Sequence, residues 1–155
     1  MVYIRLAVRE DVETLFALDQ ACFRPGIAYS KGELQYFLVH PRSIPIVAED
    51  ESGIAGFAIV EIATENGRRS GHIVTIDVAE TRRRQGVGRA LMEALLERCR
   101  EAKAASVRLE VAVDNDGAIE FYRVLGFEDK GRIAGFYMGK LDALRMGLDL
   151  PPRHT

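Results

Sequence analysis

The chain's 155 residues carry 21 lysines and arginines against 23 aspartates and glutamates, and the net charge of −2 offers no broad basic field for nucleic acid. A hydrophobic fraction of 48% and a charged fraction of 28% are typical of a soluble protein, and no apolar run reaches the roughly twenty residues of a membrane span. We therefore expect a cytoplasmic protein with one domain over residues 1–150 and a tail at 151–155, and neither nucleic acid nor a membrane as its partner.

The first quarter of the chain predicts one strand and two helices. Tyr3 to Val8 has strand character, and a second helix runs from Ser30, a suitable N-cap, to His40. The first helix is indicated by apolar residues at helical spacing: Val12, Leu15, Leu18 and Cys22. Cys22 and Cys99 both lie on apolar stripes without CxxC pairing, so both are predicted to be reduced residues of the core.

Three β-rich runs follow. Ile44–Ala48 and Ile54–Ala63 flank a polar turn and predict an antiparallel hairpin. The third run, His72–Val78, comes after a predicted loop at 65–71. The middle of the chain therefore contributes three strands to a sheet.

The second half predicts a βαβ unit. The most regular helix in the chain spans Gly86 to Ala102, between the strand at His72–Val78 and another at Val107–Val111. Such a crossover requires the two strands to pair in parallel, and the flanking hairpins make the sheet mixed, so the fold class is α/β. A helix and two extended segments follow: Asn115–Leu125, Phe127–Ile133 and Phe136–Leu148.

The stretch TRRRQGVGRAL, residues 81–91, opens the long helix with two glycines. Glycines at a helix start let backbone N–H groups approach an anion, and pyrophosphate is the natural occupant. A P-loop is excluded because its Lys and hydroxyl residue are missing. A dinucleotide fingerprint is disfavoured because Leu91 stands at the third glycine position, and seven residues separate Val78 from Gly86.

Two motifs resemble the GNAT superfamily of acyl-CoA N-acyltransferases. The first is the apolar strand Ile73–Val78 followed by Arg83–Gly88, which is similar to the superfamily's [RQ]xxGx[GA] loop. The second, similar to NxxAxxFYxxxGF, follows Leu109-Glu110-Val111 and comprises Asn115, Ala118, Phe121-Tyr122 and Leu125-Gly126-Phe127. The resemblance implies a mixed sheet of about seven strands flanked by about four helices, acetyl-CoA as co-substrate, and direct transfer of acetyl to a primary amine.

Within the superfamily the chain resembles the ribosomal-protein-alanine N-terminal acetyltransferases. The resemblance rests on Leu109-Glu110-Val111, Phe121-Tyr122, Phe136-Tyr137 and Tyr29-Ser30, and it implies the α-amine of a protein or peptide as acceptor. Gly139-Lys140-Leu141 departs from the acidic pair common in that group. Two alternatives therefore stay open: acetylation of a small amine such as an antibiotic, polyamine or amino acid, and a non-catalytic acyl-CoA-binding module.

The resemblance also implies which residues hold the cofactor. Backbone amides from Arg84 to Arg89 would bind the CoA pyrophosphate, with arginines of the run 82–84 near the nucleotide phosphates. Free backbone groups of the preceding strand would bind pantetheine and polarise the thioester carbonyl. The predicted cofactor residues are Ile76, Val78, Arg83, Arg84, Gln85, Gly86, Val87, Gly88, Arg89 and Asn115.

Two residues are predicted to move protons. Glu110 would act through water as the general base, although a surface ion pair with Arg108 is the alternative. Tyr122 would give its phenolic proton to the leaving thiolate, with core packing as its alternative. Asp77 stands out from apolar neighbours and is a candidate functional acid, or a polar residue of the opposite sheet face.

The acceptor groove is predicted from aromatic residues at Tyr29, Phe136 and Tyr137. His72 ends a strand without any partner pattern. No His, Cys or carboxylate set has metal-ligand spacing, so no metal is expected, and no Ser-His pairing suggests a covalent nucleophile. Whether the protein is a monomer or a homodimer stays open.

Overall fold

Residues 1–152 are described by a computed structural model, in which a mixed sheet of seven strands is flanked by four α-helices. Residues 153–155 of the predicted tail lie outside the described residues. None of the helices in the described part is long and apolar enough to cross a membrane. The elements in chain order are β1 (Tyr3–Leu6), α1 (Val12–Cys22), α2 (Lys31–Val39), β2 (Ser43–Asp50), β3 (Gly53–Glu65), β4 (Arg68–Val78), α3 (Val87–Glu101), β5 (Ser106–Ala112), α4 (Asp116–Val124), β6 (Glu128–Tyr137) and β7 (Leu141–Asp149).

The sheet has the strand order β1-β2-β3-β4-β5-β7-β6. Its neighbours pair antiparallel except β4 and β5, which are parallel and joined through α3. This is the predicted crossover, and the predicted fold class is confirmed. Among the described strands the one parallel pair lies at the centre of the sheet, between two antiparallel halves.

The sheet is packed on both faces, and α3 forms the larger core with one of them. The α3 residues Leu91 and Leu95 belong to the same buried cluster as Ala58 and Val60 of β3. The alternate side chains of β3, Phe57 and Ile59, belong to a second cluster with α1 and α2, because successive strand residues point to opposite faces. The two faces of β3 therefore anchor different helices.

Two boundaries differ from the sequence prediction. The loop expected at 65–71 is a tight hairpin, because Asn66 and Gly67 both have positive φ (51° and 77°) and β4 begins at Arg68. The segment predicted as one strand over Phe136–Leu148 is broken into β6 and β7 by a turn in which Met138 and Gly139 have φ of 55° and 71°. Gly139 alone did not predict this turn, because the preceding left-handed residue is a methionine.

Candidate active site

A cleft of about 1010 Å³ opens where β4 and β5 separate. The parallel ladder joins Ser70–His72 of β4 to Ser106–Arg108 of β5 and ends there. Beyond it β4 continues along β3 as far as Val78, while β5 continues along β7. Each strand thus keeps one neighbour and leaves the backbone groups of its other edge free to bind a ligand.

The backbone of β4 turns its free groups toward this cleft at Ile76 and Val78. The Ala79 N–H donates to the carbonyl of Ala55 on β3 at 2.9 Å. Because backbone groups alternate in direction along an antiparallel pair, the N–H and C=O of Asp77 also point toward β3, and those of Ile76 and Val78 point away from it. The Val78 carbonyl accepts hydrogen bonds from Cys22 Sγ at 3.5 Å and Arg83 Nε at 3.3 Å. The free N–H groups of this edge are suited to a thioester carbonyl and an extended pantetheine chain.

The glycine loop places the start of α3 at the same cleft. Gly86 has φ of +82° and caps the helix, and the first helical bond runs from the Ala90 N–H to the Gly86 carbonyl. The amides of Val87, Gly88 and Arg89 therefore precede the helical ladder and are available to an anion.

The arginine run of this loop has divided roles. Arg83 and Arg84 line the cleft, whereas Arg82 forms an ion pair with Asp50 on the far side of the loop. The side chain of Gln85 bonds within the loop, to Arg82 Nε and to the Thr81 carbonyl. Of the predicted cofactor residues, Gln85 and the buried Val87 have side chains outside the cleft lining, and the rest line it: Ile76, Val78, Arg83, Arg84, Gly86, Gly88, Arg89 and Asn115.

Asn115 caps α4 at the opposite wall. Its side chain accepts a hydrogen bond from the Ala118 N–H at 3.2 Å. The amide nitrogen of the same side chain has no hydrogen-bond partner within residues 1–152 and is available to a ligand. Asn115 is thus an N-cap and a cleft residue at once.

Glu110 is paired with His72, a partner that no sequence pattern predicted. His72 Nε2 lies 2.7 Å from Glu110 Oε1, and the Glu110 side chain is 13% exposed. Burial raises the pKa of Glu110, but the hydrogen bond with His72 and the positive charges of His72, Arg108 and Arg145 outweigh it, so the net pKa is lowered. The carboxylate is therefore ionised at neutral pH, and His72 Nε2 carries the proton of the bond. Arg108, the partner in the alternative interpretation, acts on Glu110 only at longer range.

Tyr122 lies on α4 with its ring in the core and its edge in the cleft lining. It is 8% exposed and packs edge-on against Phe121 and Phe127, with ring centroids 5.5 and 5.8 Å away. Burial, assisted by Asp77 and Tyr137, raises its pKa well above the ordinary value. Its hydroxyl has no hydrogen-bond partner within residues 1–152 and stays protonated, so this packed residue also presents a protonated phenol at the cleft.

The three predicted acceptor residues all line the cleft. Tyr29 is half-buried and donates its hydroxyl proton to the Val74 carbonyl at 3.1 Å. Phe136 is exposed and stacks edge-on with Tyr137 at 4.9 Å. Burial, with the negative charge of Glu110, raises the pKa of Tyr137 to about 12.

Cys22 is not the core residue that the sequence predicted. It is half-buried at the end of α1, where its thiol borders the cleft beside Arg83. Burial and the charge of Asp77 raise the pKa of this thiol. Cys99 does lie in the core, as expected.

Comparisons with known proteins agree with this geometry. The Acetyltransferase (GNAT) family model matches residues 12–127. The NAA10 catalytic subunit of the N-terminal acetyltransferase A complex of Arabidopsis thaliana is 30% identical over 97% of this chain and 79% of its own. The [ribosomal protein bS18]-alanine N-acetyltransferase of Escherichia coli is 32% identical over 63% of this chain and 65% of its own. The structure of Arabidopsis thaliana NAA60 with acetyl-CoA, 20% identical, has the same fold, with a TM-score of 0.87 over 97% of this chain and 99% of that one.

Proposed function

We propose that this chain, which belongs to the GNAT acetyltransferase family, transfers the acetyl group of acetyl-CoA to the N-terminal α-amine of a protein or peptide. The observation that carries the proposal is the His72–Glu110 pair, which lies where β4 and β5 separate. Tyr122 faces the same cleft. An ionised carboxylate, a protonated phenol and a free strand edge are what amide formation from a thioester requires.

On the donor side, the amides at the start of α3 would hold the CoA pyrophosphate. Pantetheine would extend along the free edge of β4 and bring the thioester carbonyl to the backbone N–H groups near Ile76 and Val78. A main-chain donor at that point stabilises the oxyanion that forms when the amine attacks. The loop arginines Arg83 and Arg84 would add charge near the nucleotide phosphates.

The chemical step needs two proton transfers. The neutral amine attacks the thioester carbon, and its surplus proton passes through a water to Glu110. The carbon–sulfur bond then breaks, and Tyr122 gives its phenolic proton to the thiolate, so the products are an amide and CoA with a free thiol. The proton held by Glu110 then returns through water to the Tyr122 phenolate, which restores both groups. His72 keeps Glu110 ionised and fixes the direction of its carboxylate.

The electrostatics of the site favour an α-amine. The pKa of Glu110 is lowered, so it is a weak base. An α-amine, with a reference pKa of about 7.7–8.0, is about a tenth neutral at pH 7, whereas lysine, near 10.4, is almost entirely charged. A weak base suffices for the first acceptor and is poorly matched to the second.

The shape of the acceptor side supports a chain end as substrate. Met138, in the β6–β7 turn, lies so close to Gly26 that a Cβ placed there would be 2.2 Å from Met138 Cε. Arg24 and Asp114, both on the cleft wall, form an ion pair at 2.8 Å. The first contact joins the β6–β7 turn to the loop after α1. We infer that this bridge beside the cleft admits a chain end more readily than the middle of a chain.

A comparison of acceptors tests the proposal. CoA release would be measured with three sets of acceptors. The first is a set of peptides that differ in their first residue, the second is the same peptides with a blocked N-terminus and an internal lysine as the remaining amine, and the third is a panel of small amines. We expect turnover of the free peptides only. Turnover of small amines with a silent peptide panel would replace the proposal by the small-amine alternative. The extent of the catalytic domain over 1–150 and a cytoplasmic location stay predictions.

A further inference from the structure

Two buried carboxyl groups lie together beside the cleft, and one of them, Asp77, lines it. Asp19 of α1 is 0% exposed and Asp77 of β4 is 1% exposed. One oxygen of each has a partner: Asp19 Oδ2 accepts from the Tyr29 N–H at 2.7 Å, and Asp77 Oδ1 accepts from the Thr75 hydroxyl. The other two, Asp19 Oδ1 and Asp77 Oδ2, have none within the described chain.

The two unsatisfied oxygens belong to carboxyl groups that act on each other. Burial, together with the adjacent Asp19 carboxyl, holds the pKa of Asp77 well above the ordinary value. Two adjacent buried carboxylates cannot both stay charged. One proton between them satisfies both oxygens and leaves the pair with a single negative charge.

The groups around the pair give it no counter-ion. Cys22 faces Asp77 from α1, Tyr122 from α4 and Phe57 from β3. Arg83 attracts Asp77 from the glycine loop but bonds the Val78 carbonyl instead. Around Asp19 the neighbour is Tyr29. No lysine, arginine or histidine forms an ion pair with either carboxyl within residues 1–152.

We propose that Asp19 and Asp77 share one proton and serve as a positioning pair for Tyr29, one of the predicted acceptor residues. The shared proton closes a ring of hydrogen bonds. Asp19 accepts from the Tyr29 N–H, the Tyr29 hydroxyl donates to the Val74 carbonyl, and the Thr75 hydroxyl donates to Asp77. The ring ties α1 and Tyr29 to the part of β4 that leaves β5. The proton sharing stands on the structure alone, and its effect on catalysis rests on the proposed function.

The pH dependence of stability tests the shared proton without any substrate. A carboxyl with a raised pKa keeps its proton in the folded state after the unfolded chain has lost it, so its stabilisation is complete below about pH 4 and declines as pH rises toward the folded pKa. D77N keeps a donor for Asp19 but cannot ionise. We expect the melting temperature of D77N minus that of wild type to rise by about 3 °C or more between pH 5 and 9.

D142N is the matched control. The Gly135 N–H and Arg132 lower the pKa of Asp142, so this carboxyl titrates below the window and its Tm difference should stay flat from pH 5 to 9. D19N should behave as D77N does, because either amide supplies the missing donor. A flat difference for D77N and D19N would overturn the shared proton.

Kinetics separate positioning from catalysis. We expect D77A to raise the acceptor KM about tenfold, with acetyl-CoA affinity by calorimetry changed less, and D77N to restore the acceptor KM. A hundredfold loss of kcat in D77N would instead mark Asp77 as a proton donor and overturn the positioning role. If no peptide is turned over, the proposed function fails, while the melting curves still decide the shared proton.

Discussion

His72 and Glu110 bridge β4 and β5 with a 2.7 Å contact at the point where the ladder between the two strands ends. His72 is the last residue of β4 that pairs with β5, where its partner is Arg108, and Glu110 lies two residues beyond Arg108. The bond therefore crosses the apex of the cleft. It closes the gap between the strands and presents an ionised carboxylate to whatever enters.

Replacing Glu110 by glutamine should lower kcat about 100-fold with little change in acetyl-CoA affinity. The amide keeps a hydrogen bond to His72 but cannot accept the amine's proton, and general base catalysis contributes roughly 10²–10⁴-fold. Steady-state kinetics with a free peptide measure the loss. E128Q, an exposed glutamate on the edge strand β6, is the control and should leave kcat unchanged. An unimpaired E110Q enzyme would remove Glu110 from the chemistry.

The same carboxylate should contribute to stability in a pH-dependent way. Its pKa is lowered in the folded state, so the stabilisation is present above the unfolded pKa of about 4.3 and is lost as pH falls through the folded pKa. The Tm of wild type minus that of E110Q should therefore shrink between pH 6 and pH 3. A difference that grows on acidification would mean that Glu110 is protonated in the folded protein.

Tyr122→Phe should reduce kcat by about 100-fold while leaving the fold intact. The ring that packs against Phe121 and Phe127 remains, and only the proton for the thiolate is lost. Because burial raises the pKa of Tyr122, wild-type kcat should not decline through ionisation of this phenol below about pH 10. The exposed Tyr36→Phe serves as the control. Equal kcat for Y122F and Y36F would contradict the role of general acid.

Local sequence patterns were sufficient to predict the helices and strands and most of the residues that line the cleft. The stripe from Val87 to Cys99 identified α3, and the crossover around it required a parallel pair, which places the glycine loop and Glu110 at one edge. The site residues that these local patterns predicted lie near one another in the folded chain, around the cleft. Gln85 and Val87 show the limit, because a motif specifies backbone positions and not side-chain directions.

His72 and Asp19 could not be found in this way. Which residue stands beside Glu110 depends on the register of two strands separated by a whole helix, and no local pattern encodes that register. Asp77 was visible as a polar residue among apolar ones, but its partner lies on α1, almost sixty positions earlier. A break in register between Ile59 and Val60 of β3 further alters which residues of β4 face α1.

Gly86 and Gly67 make a matched pair for testing the glycine loop. Both have positive φ, 82° and 77°, and a Cβ at either position would meet no atom within 4 Å. Alanine should therefore cost a similar roughly 1–2 kcal/mol of folding free energy at both sites, through backbone strain alone.

The two variants should differ in cofactor binding. G86A disturbs the amides that begin α3, and a lost hydrogen bond to a charged group, worth about 1.5–3 kcal/mol, predicts an acetyl-CoA Kd raised by about tenfold or more. G67A lies in the β3–β4 hairpin turn and should bind acetyl-CoA as wild type does. Calorimetry measures both values, and chemical denaturation confirms that the strain is equal. Equal weakening in both variants would trace the effect to stability, and the helix start would then have no special part in holding the pyrophosphate.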